Sequence, residues 1–198
     1  MSTLPSWTSD PESLTITEEG YDALPDQVRK LIEVIDGNVI FCQSGTPEHS
    51  DVSRRLANKL ESAKPEEPCT RVSTDIDVHF VKRRRKDGKF SFRRPDVSVY
   101  RCIERGAKVS TPDALMVVEV VSPGSGYTDT VDKLAEYAYE GIPVYLVVFL
   151  DGGLFIKMIH EYRLDWATRT YRLTESHVDV LVLEDPFAAT ITFAELDG

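Results

Sequence analysis

With 198 residues, 41% of them hydrophobic and 28% charged, the chain suits one globular domain with a sizeable core and leaves two full domains cramped. No apolar run approaches the ~20 residues that span a bilayer, which excludes a membrane helix and argues against a membrane partner. A net charge of -10 counts against broad, nonspecific attraction to nucleic acid.

The first residues, Met1-Ser2-Thr3-Leu4-Pro5, lack the basic start and apolar stretch of a secretory signal, so a cytoplasmic location is expected. Residues 1–14 are rich in Ser, Thr, Pro and acidic side chains and read as a flexible tail, leaving 15–198 as a single domain. Thr17-Glu18-Glu19 has the composition of a helix start, and Leu24-Pro25 ends that short element. Asp36-Gly37 between the apolar runs of Ile32 to Phe41 signals a hairpin. Thr46-Pro47 then pairs an N-cap with a first-turn proline, and Val52, Leu56 and Leu60 carry an amphipathic helix to about Ser62. His49 lies near that apolar stripe and reads first as a satisfied, partly buried histidine.

Val72 to Val81 alternates as a strand, Lys86-Asp87-Gly88-Lys89 marks a turn, and Phe90 to Tyr100 returns as a second strand. In that second arm Asp96, Ser98 and Tyr100 share one face, and Val97 and Val99 the other. A basic strip of Lys82, Arg83, Arg84, Arg85, Lys86, Lys89, Arg93 and Arg94 directly precedes Asp96. It reads either as a solvated hairpin tip or as a phosphate-binding surface, with Arg83, Arg84, Arg85 and Arg94 the nucleic-acid contacts.

Leu115 to Val121 is almost continuously apolar and suits the buried centre of a sheet, with Val117, Glu119 and Val121 on one side. A helix from about Thr128 to Glu140, stopped by Gly141 and Pro143, leads to a strand from Tyr145 to Leu150. This is a right-handed βαβ unit with parallel strands. Asp129, Lys133 and Tyr137 line one face of its helix over about 12 Å. The remainder reads as short strands and turns. The three cysteines, Cys42, Cys69 and Cys102, form no metal-binding pair and no evident disulfide framework, so reduced thiols are expected.

A carboxylate amid valines costs several kcal/mol, about 2–7 on transfer scales even for a neutral polar group, unless something compensates it. For Glu119 that is either an ion pair with Lys133 or a divalent metal shared with Asp96. Two carboxylates suit Mg²⁺, and a lysine beside them suits phosphodiester hydrolysis. Phosphate loops, dinucleotide fingerprints, zinc-protease and nucleophile-elbow motifs are all absent from the sequence.

From Thr17 to Val148 the chain resembles the Uma-two family of restriction-endonuclease-like proteins, within the PD-(D/E)xK nuclease superfamily. The resemblance rests on Glu33-Val34-Ile35-Asp36-Gly37, His49 opening a helix, Arg94-Pro95-Asp96-Val97 and Val118-Glu119-Val120-Val121-Ser122-Pro123. It continues through Asp129, Lys133 and Tyr137 to Gly141-Ile142-Pro143 before Tyr145. It implies an α/β restriction-endonuclease-like core, a mixed β-sheet flanked by helices with Asp96 and Glu119 on adjacent strands. It also implies a Mg²⁺-dependent DNA endonuclease, with Mn²⁺ able to substitute, assembled as a homodimer. Asp96 and Glu119 would be the metal ligands and catalytic carboxylates. Lys133 would stand in for the superfamily lysine, whose usual place two residues after the glutamate is Val121 here. Glu33, His49, Asp129 and Tyr137 would support the site. The same residues also fit a catalytically inactive nucleic-acid-binding or scaffold protein, with Glu119–Lys133 as a structural ion pair.

Overall fold

The computed structural model describes residues 14–42, 45–83, 89–123 and 127–198, with the side chains of 127–130 outside the description. Two short helices, α1 (Glu18–Asp22) and α2 (Asp26–Arg29), lead into the hairpin β1 (Ile32–Ile35) and β2 (Asn38–Phe41). Thr17 caps α1 by accepting the Gly20 N–H at 3.2 Å. The hairpin turn puts both Asp36 and Gly37 at positive φ (52° and 78°), as a two-residue turn matched to the strand twist requires. Helix α3 (Pro47–Ala63) starts at the expected cap, where the Thr46 hydroxyl accepts the His49 N–H at 3.3 Å.

The expected hairpin of residues 72–81 and 90–100 is divided between two sheets. β3 (Thr70–Thr74) pairs with β6 (Val97–Arg101), whereas β4 (Val78–His79) pairs with β5 (Phe92–Arg93). Each arm breaks where the backbone leaves extended geometry. Asp75 sits at a φ of 53°, and Pro95 has no N–H to give to a ladder. The turn expected at 86–89 falls largely outside the described residues, as does most of the proposed tail.

The large sheet has the order β10-β9-β8-β7-β6-β3 and is mixed. β7 (Ala114–Val121) and β8 (Val144–Leu150) are parallel, joined through α4 (Tyr127–Glu140) as the βαβ reading requires, and the other pairs are antiparallel. Gly141 ends α4 at a φ of 91°, with its N–H on the Tyr137 carbonyl. The C-terminal part is more regular than expected. β9 (Ile156–Asp165) and β10 (Thr170–His177) form a long hairpin, followed by the ribbon β11 (Val180–Leu183) and β12 (Ala189–Thr192). A last helix, α5 (Phe193–Asp197), stands in the region read as short strands and turns, opened by a capping box of Thr192 and Glu195.

α3 packs its Val52, Leu56 and Leu60 on the face made by Val97, Val99, Met116, Val118 and Val120. The opposite face, with Val117, Tyr145 and Val147, takes Tyr137 of α4. The small sheet, β2-β1-β5-β4, forms a third cluster with Tyr21, Val34 and Phe92. The cysteines correct the expectation of reduced thiols: Cys69 and Cys102 are disulfide-bonded, their Cα atoms 5.5 Å apart. They stand one step outside the Thr70–Arg101 pair of the β3–β6 ladder, a proximity that only the strand register reveals. Cys42 is free.

Candidate active site

The β6–β7 register pairs Val97 with Val118, so the next step outward brings Asp96 alongside Glu119 at the carboxyl end of β7. In parallel α/β arrangements this end of the sheet is where ligands bind. The two side chains are nevertheless held by different helices. Asp96 lies in a bend that ends the ladder, and its carboxylate leaves the Ser98–Tyr100 face expected for it. Its Oδ1 is 2.9 Å from His49 Nε2 on α3, and its Oδ2 accepts the Val120 N–H at 2.6 Å. The hydrogen bond that the Asp96 carboxylate accepts raises the His49 imidazole above its ordinary pKa, against an opposing effect of burial.

Glu119 points to α4. Lys133 Nζ donates to its Oε2 at 2.8 Å and Tyr137 Oη to its Oε1 at 2.8 Å. Burial pushes the Glu119 carboxyl up; Lys133 opposes this, and the negative charges of Asp96 and Glu33 add to it. Burial, and then Glu119, hold the Tyr137 phenol far above its usual value, so it serves as a donor. Asp129 belongs to the first turn of α4, and its side chain lies outside the description.

Glu33 enters through a buried charge network that sequence reasoning missed. Its Oε2 accepts from Arg93 Nη1 at 2.8 Å, and its Oε1 takes the Arg94 backbone N–H at 2.7 Å. Arg93 also grips Glu136 of α4, with Nε and Nη2 at 2.8 and 3.1 Å. Burial works against the Arg93 charge, but Glu136 and Glu33 outweigh it and raise its pKa. The only sequence signal for Glu136 was its place one turn beyond Lys133, a spacing equally common on solvated helix faces.

The basic strip behaves unevenly. Arg94, expected among the nucleic-acid contacts, has its guanidinium hydrogen-bonded within the fold. Nε donates to Asp77 at 2.8 Å, Nη1 to the Lys30 carbonyl at 2.9 Å, and Nη2 to the Arg29 carbonyl at 3.1 Å and Tyr21 Oη at 3.2 Å. Arg83 is more open, with Nη1 donating to Asp36 at 2.7 Å. Arg84 and Arg85 lie outside the described residues. A groove of about 480 Å³, lined in part by Arg71, Asp75, Asp77, Arg94 and Tyr100, borders the site through Asp75. Burial and then Asp96 push the Asp75 carboxyl up.

Two carboxylates with hard oxygen donors fit Mg²⁺. Each ionised carboxylate offers about four lone-pair sites, and the hydrogen bonds from His49 and Val120 to Asp96, and from Lys133 and Tyr137 to Glu119, leave ligand capacity on both. Among the described residues no three His, Cys, Asp or Glu side chains converge as a ready metal cage. A bound ion would therefore lean on these carboxylates and on water, as Mg²⁺ commonly does.

Comparison with known proteins agrees with this architecture. The family model Uma2, described as "Putative restriction endonuclease", matches residues 18–194. A crystal structure of a putative nuclease belonging to DUF820 from Anabaena variabilis ATCC 29413 superposes with a TM-score of 0.66 at 17% sequence identity. The match covers 92% of this chain and 97% of that one, and at this identity it speaks for the fold alone. No curated protein matches the chain.

Proposed function

The chain belongs to the Uma2 family, described as "Putative restriction endonuclease", and from that premise we propose that it is a Mg²⁺-dependent endonuclease hydrolysing DNA phosphodiester bonds. The observation carrying this reading is the placing of Asp96 beside Glu119 at the end of the β6–β7 ladder, with Lys133 on Glu119. Asp96 and Glu119 would hold the ion. Once bound, Mg²⁺, or Mn²⁺ in its place, supplies polarisation of a phosphoryl oxygen and a more acidic water. Lys133 orients the Glu119 carboxylate and brings a positive charge close to where negative charge builds in the transition state. Tyr137 fixes the second Glu119 oxygen, and α4, β1 and β5 hold one another through Glu136, Arg93 and Glu33. DNA is the partner under this reading, and a homodimer, which the family resemblance implies, is tested by light scattering at micromolar concentration.

The direct test is incubation of supercoiled plasmid with the protein and Mg²⁺ or Mn²⁺. Nicked or linear product is expected from the wild type and none from Glu119→Gln. Intact plasmid with either ion, at protein in excess, would overturn the endonuclease reading. One observation favours the second reading, a catalytically inactive nucleic-acid-binding or scaffold protein: Lys133 and Tyr137 already satisfy Glu119 as a structural cluster. Plasmid retardation without cleavage is the result it expects.

A further inference from the structure

His49 and Gly45 stand just outside the carboxylates, and their geometry assigns them a joint task. Space calls for a glycine at position 45. A Cβ on Gly45 would lie 2.9 Å from Cδ2 and 2.9 Å from Cγ of His49, and 3.3 Å from its Cβ. Real side chains essentially never approach so closely, and the ring cannot easily withdraw. Its own backbone is tied into the first turn of α3, the N–H on the Thr46 hydroxyl and the carbonyl accepting from Ser53 Oγ at 2.8 Å. Its far side is tied to Asp96, 2.9 Å from Nε2. An ionised carboxylate can only accept, so Nε2 carries the proton in that bond.

We propose that Gly45 and His49 form a positioning pair for Asp96: the missing Cβ seats the imidazole, and the imidazole fixes one oxygen of the carboxylate for metal binding. The proposal rests on the metal-dependent reading of the site. The Val120 N–H fixes the other oxygen at 2.6 Å, so Asp96 is oriented from α3 and from β7 at once. A carboxylate held at both oxygens loses little further freedom when it takes an ion. Outer partners of this kind commonly tune metal affinity by 10–100-fold. Gly45 is thus a positioning residue acting through His49, and neither needs to touch substrate.

The experiment is Mn²⁺ titration calorimetry at one fixed pH on the full chain, with melting temperatures measured in parallel. The variants are Asp96→Asn, His49→Leu, His49→Gln and Gly45→Ala. The expected result is that His49→Leu and Gly45→Ala weaken Mn²⁺ binding by about 10–100-fold. His49→Gln, which keeps an N–H near the Nε2 position, should recover most of the wild-type affinity. That rescue separates positioning from mere packing, since Gln is no better a space-filler for an aromatic ring than Leu. Wild-type affinity in His49→Leu and Gly45→Ala, with binding lost in Asp96→Asn, would overturn the positioning pair and leave the metal site standing. Equal loss in His49→Gln and His49→Leu would also overturn it, because the hydrogen bond would not be the means. If the wild type itself binds no Mn²⁺, the metal reading falls and this inference falls with it.

Discussion

The two candidate carboxylates are neighbours on one ladder and yet sit in opposite physical regimes. Asp96 is clamped from the α3 side in a partly open setting, with 16% of its side chain exposed and 18% of that of His49. Glu119 is clamped from the α4 side in a closed one, with 9% exposed and 11% for Lys133. Water still screens the first pair, so its geometry can be lost without leaving a stranded charge. The second pair has exchanged its water for one ammonium and one phenol, so removing any member leaves a buried group unsatisfied. Within this site, the more accessible carboxylate suits binding and the enclosed one ties chemistry to stability.

The sharpest way to break that contrast is alanine at each carboxylate. Both Asp96→Ala and Glu119→Ala should abolish plasmid cleavage, but their stability effects should separate. Glu119→Ala removes the buried carboxylate to which both Lys133 and Tyr137 donate and should lower unfolding free energy by about 3–5 kcal/mol in urea titration. Asp96→Ala loses two hydrogen bonds at a wetter position and should lose about 1–3 kcal/mol. Equal destabilisation by the two would dissolve the distinction between the clamps.

Lys133→Met asks whether the closed clamp also does chemistry. A charge placed at a phosphoryl centre is worth about 10²–10³ in rate, and cleavage should fall by that much. The same change breaks the buried pair, so a lower melting temperature is expected as well. Wild-type cleavage at a temperature where the variant is still folded would remove Lys133 from the catalytic group and leave it a structural partner of Glu119.

Much of this was legible in the sequence, and what was not has definable causes. Asp36-Gly37, Thr46-Pro47 and the run Val117 to Val121 carry their conformations in local chemistry, and they fold as expected. Glu119 was conspicuous because a charge among valines demands a partner, and Lys133 lies on the helix of that crossover. The division of residues 72–81 and 90–100 between two sheets was hidden, since alternation looks the same whichever sheet a strand joins. Arg93 and Arg94 were hidden for a related reason. A run of basic residues looks solvated until the fold brings Glu33 and Glu136 against one and Asp77 against the other. Cys69 and Cys102 lie 33 residues apart, and nothing local announces that β3 and β6 will bring them face to face.

The pH dependence of stability follows from the two clamps with the same sign. Glu119 has a raised pKa in the fold, mainly through burial, so the folded chain holds a proton that the unfolded chain releases. Its favourable contribution is full below the ordinary carboxylate range and is lost as pH rises through the raised value. His49 is raised too, chiefly by Asp96, so its contribution is full below the ordinary histidine value and disappears as pH climbs past the folded one. These two groups therefore pull the melting temperature down from pH 5 to pH 8 without divalent ions, while His79 and His160, whose imidazoles burial lowers, pull it up. The comparison with His49→Leu, which should flatten the upper part of the fall, isolates the His49 contribution. Saturating Mn²⁺ should raise the melting temperature more at pH 8 than at pH 5, since ligands bind as deprotonated groups. Parallel profiles for wild type and His49→Leu over this range would contradict the His49 assignment.

The smallest expected effect concerns the basic strip, which is moored to the far end of the helix that carries Lys133. Glu140 closes α4 and accepts the N–H groups of Val81 and Lys82 at 2.9 Å each and of Arg83 at 2.8 Å. This buried carboxylate therefore fixes where the strip begins, while the Arg83 side chain, 24% exposed, pairs with Asp36. If the strip binds DNA, each phosphate that is no longer neutralised should reduce the slope of log affinity against log salt by about 0.9. Arg83→Gln, Arg84→Gln and Arg85→Gln, made singly and together, should flatten that slope stepwise on a short duplex. Arg94→Gln provides the contrast, because its guanidinium is committed to Asp77, Tyr21 and two carbonyls. It should lower melting temperature and leave the slope unchanged. A slope that responds to Arg94 and ignores Arg83 to Arg85 would place the nucleic acid along the groove beside Asp75 and Arg71, on the open side of the site.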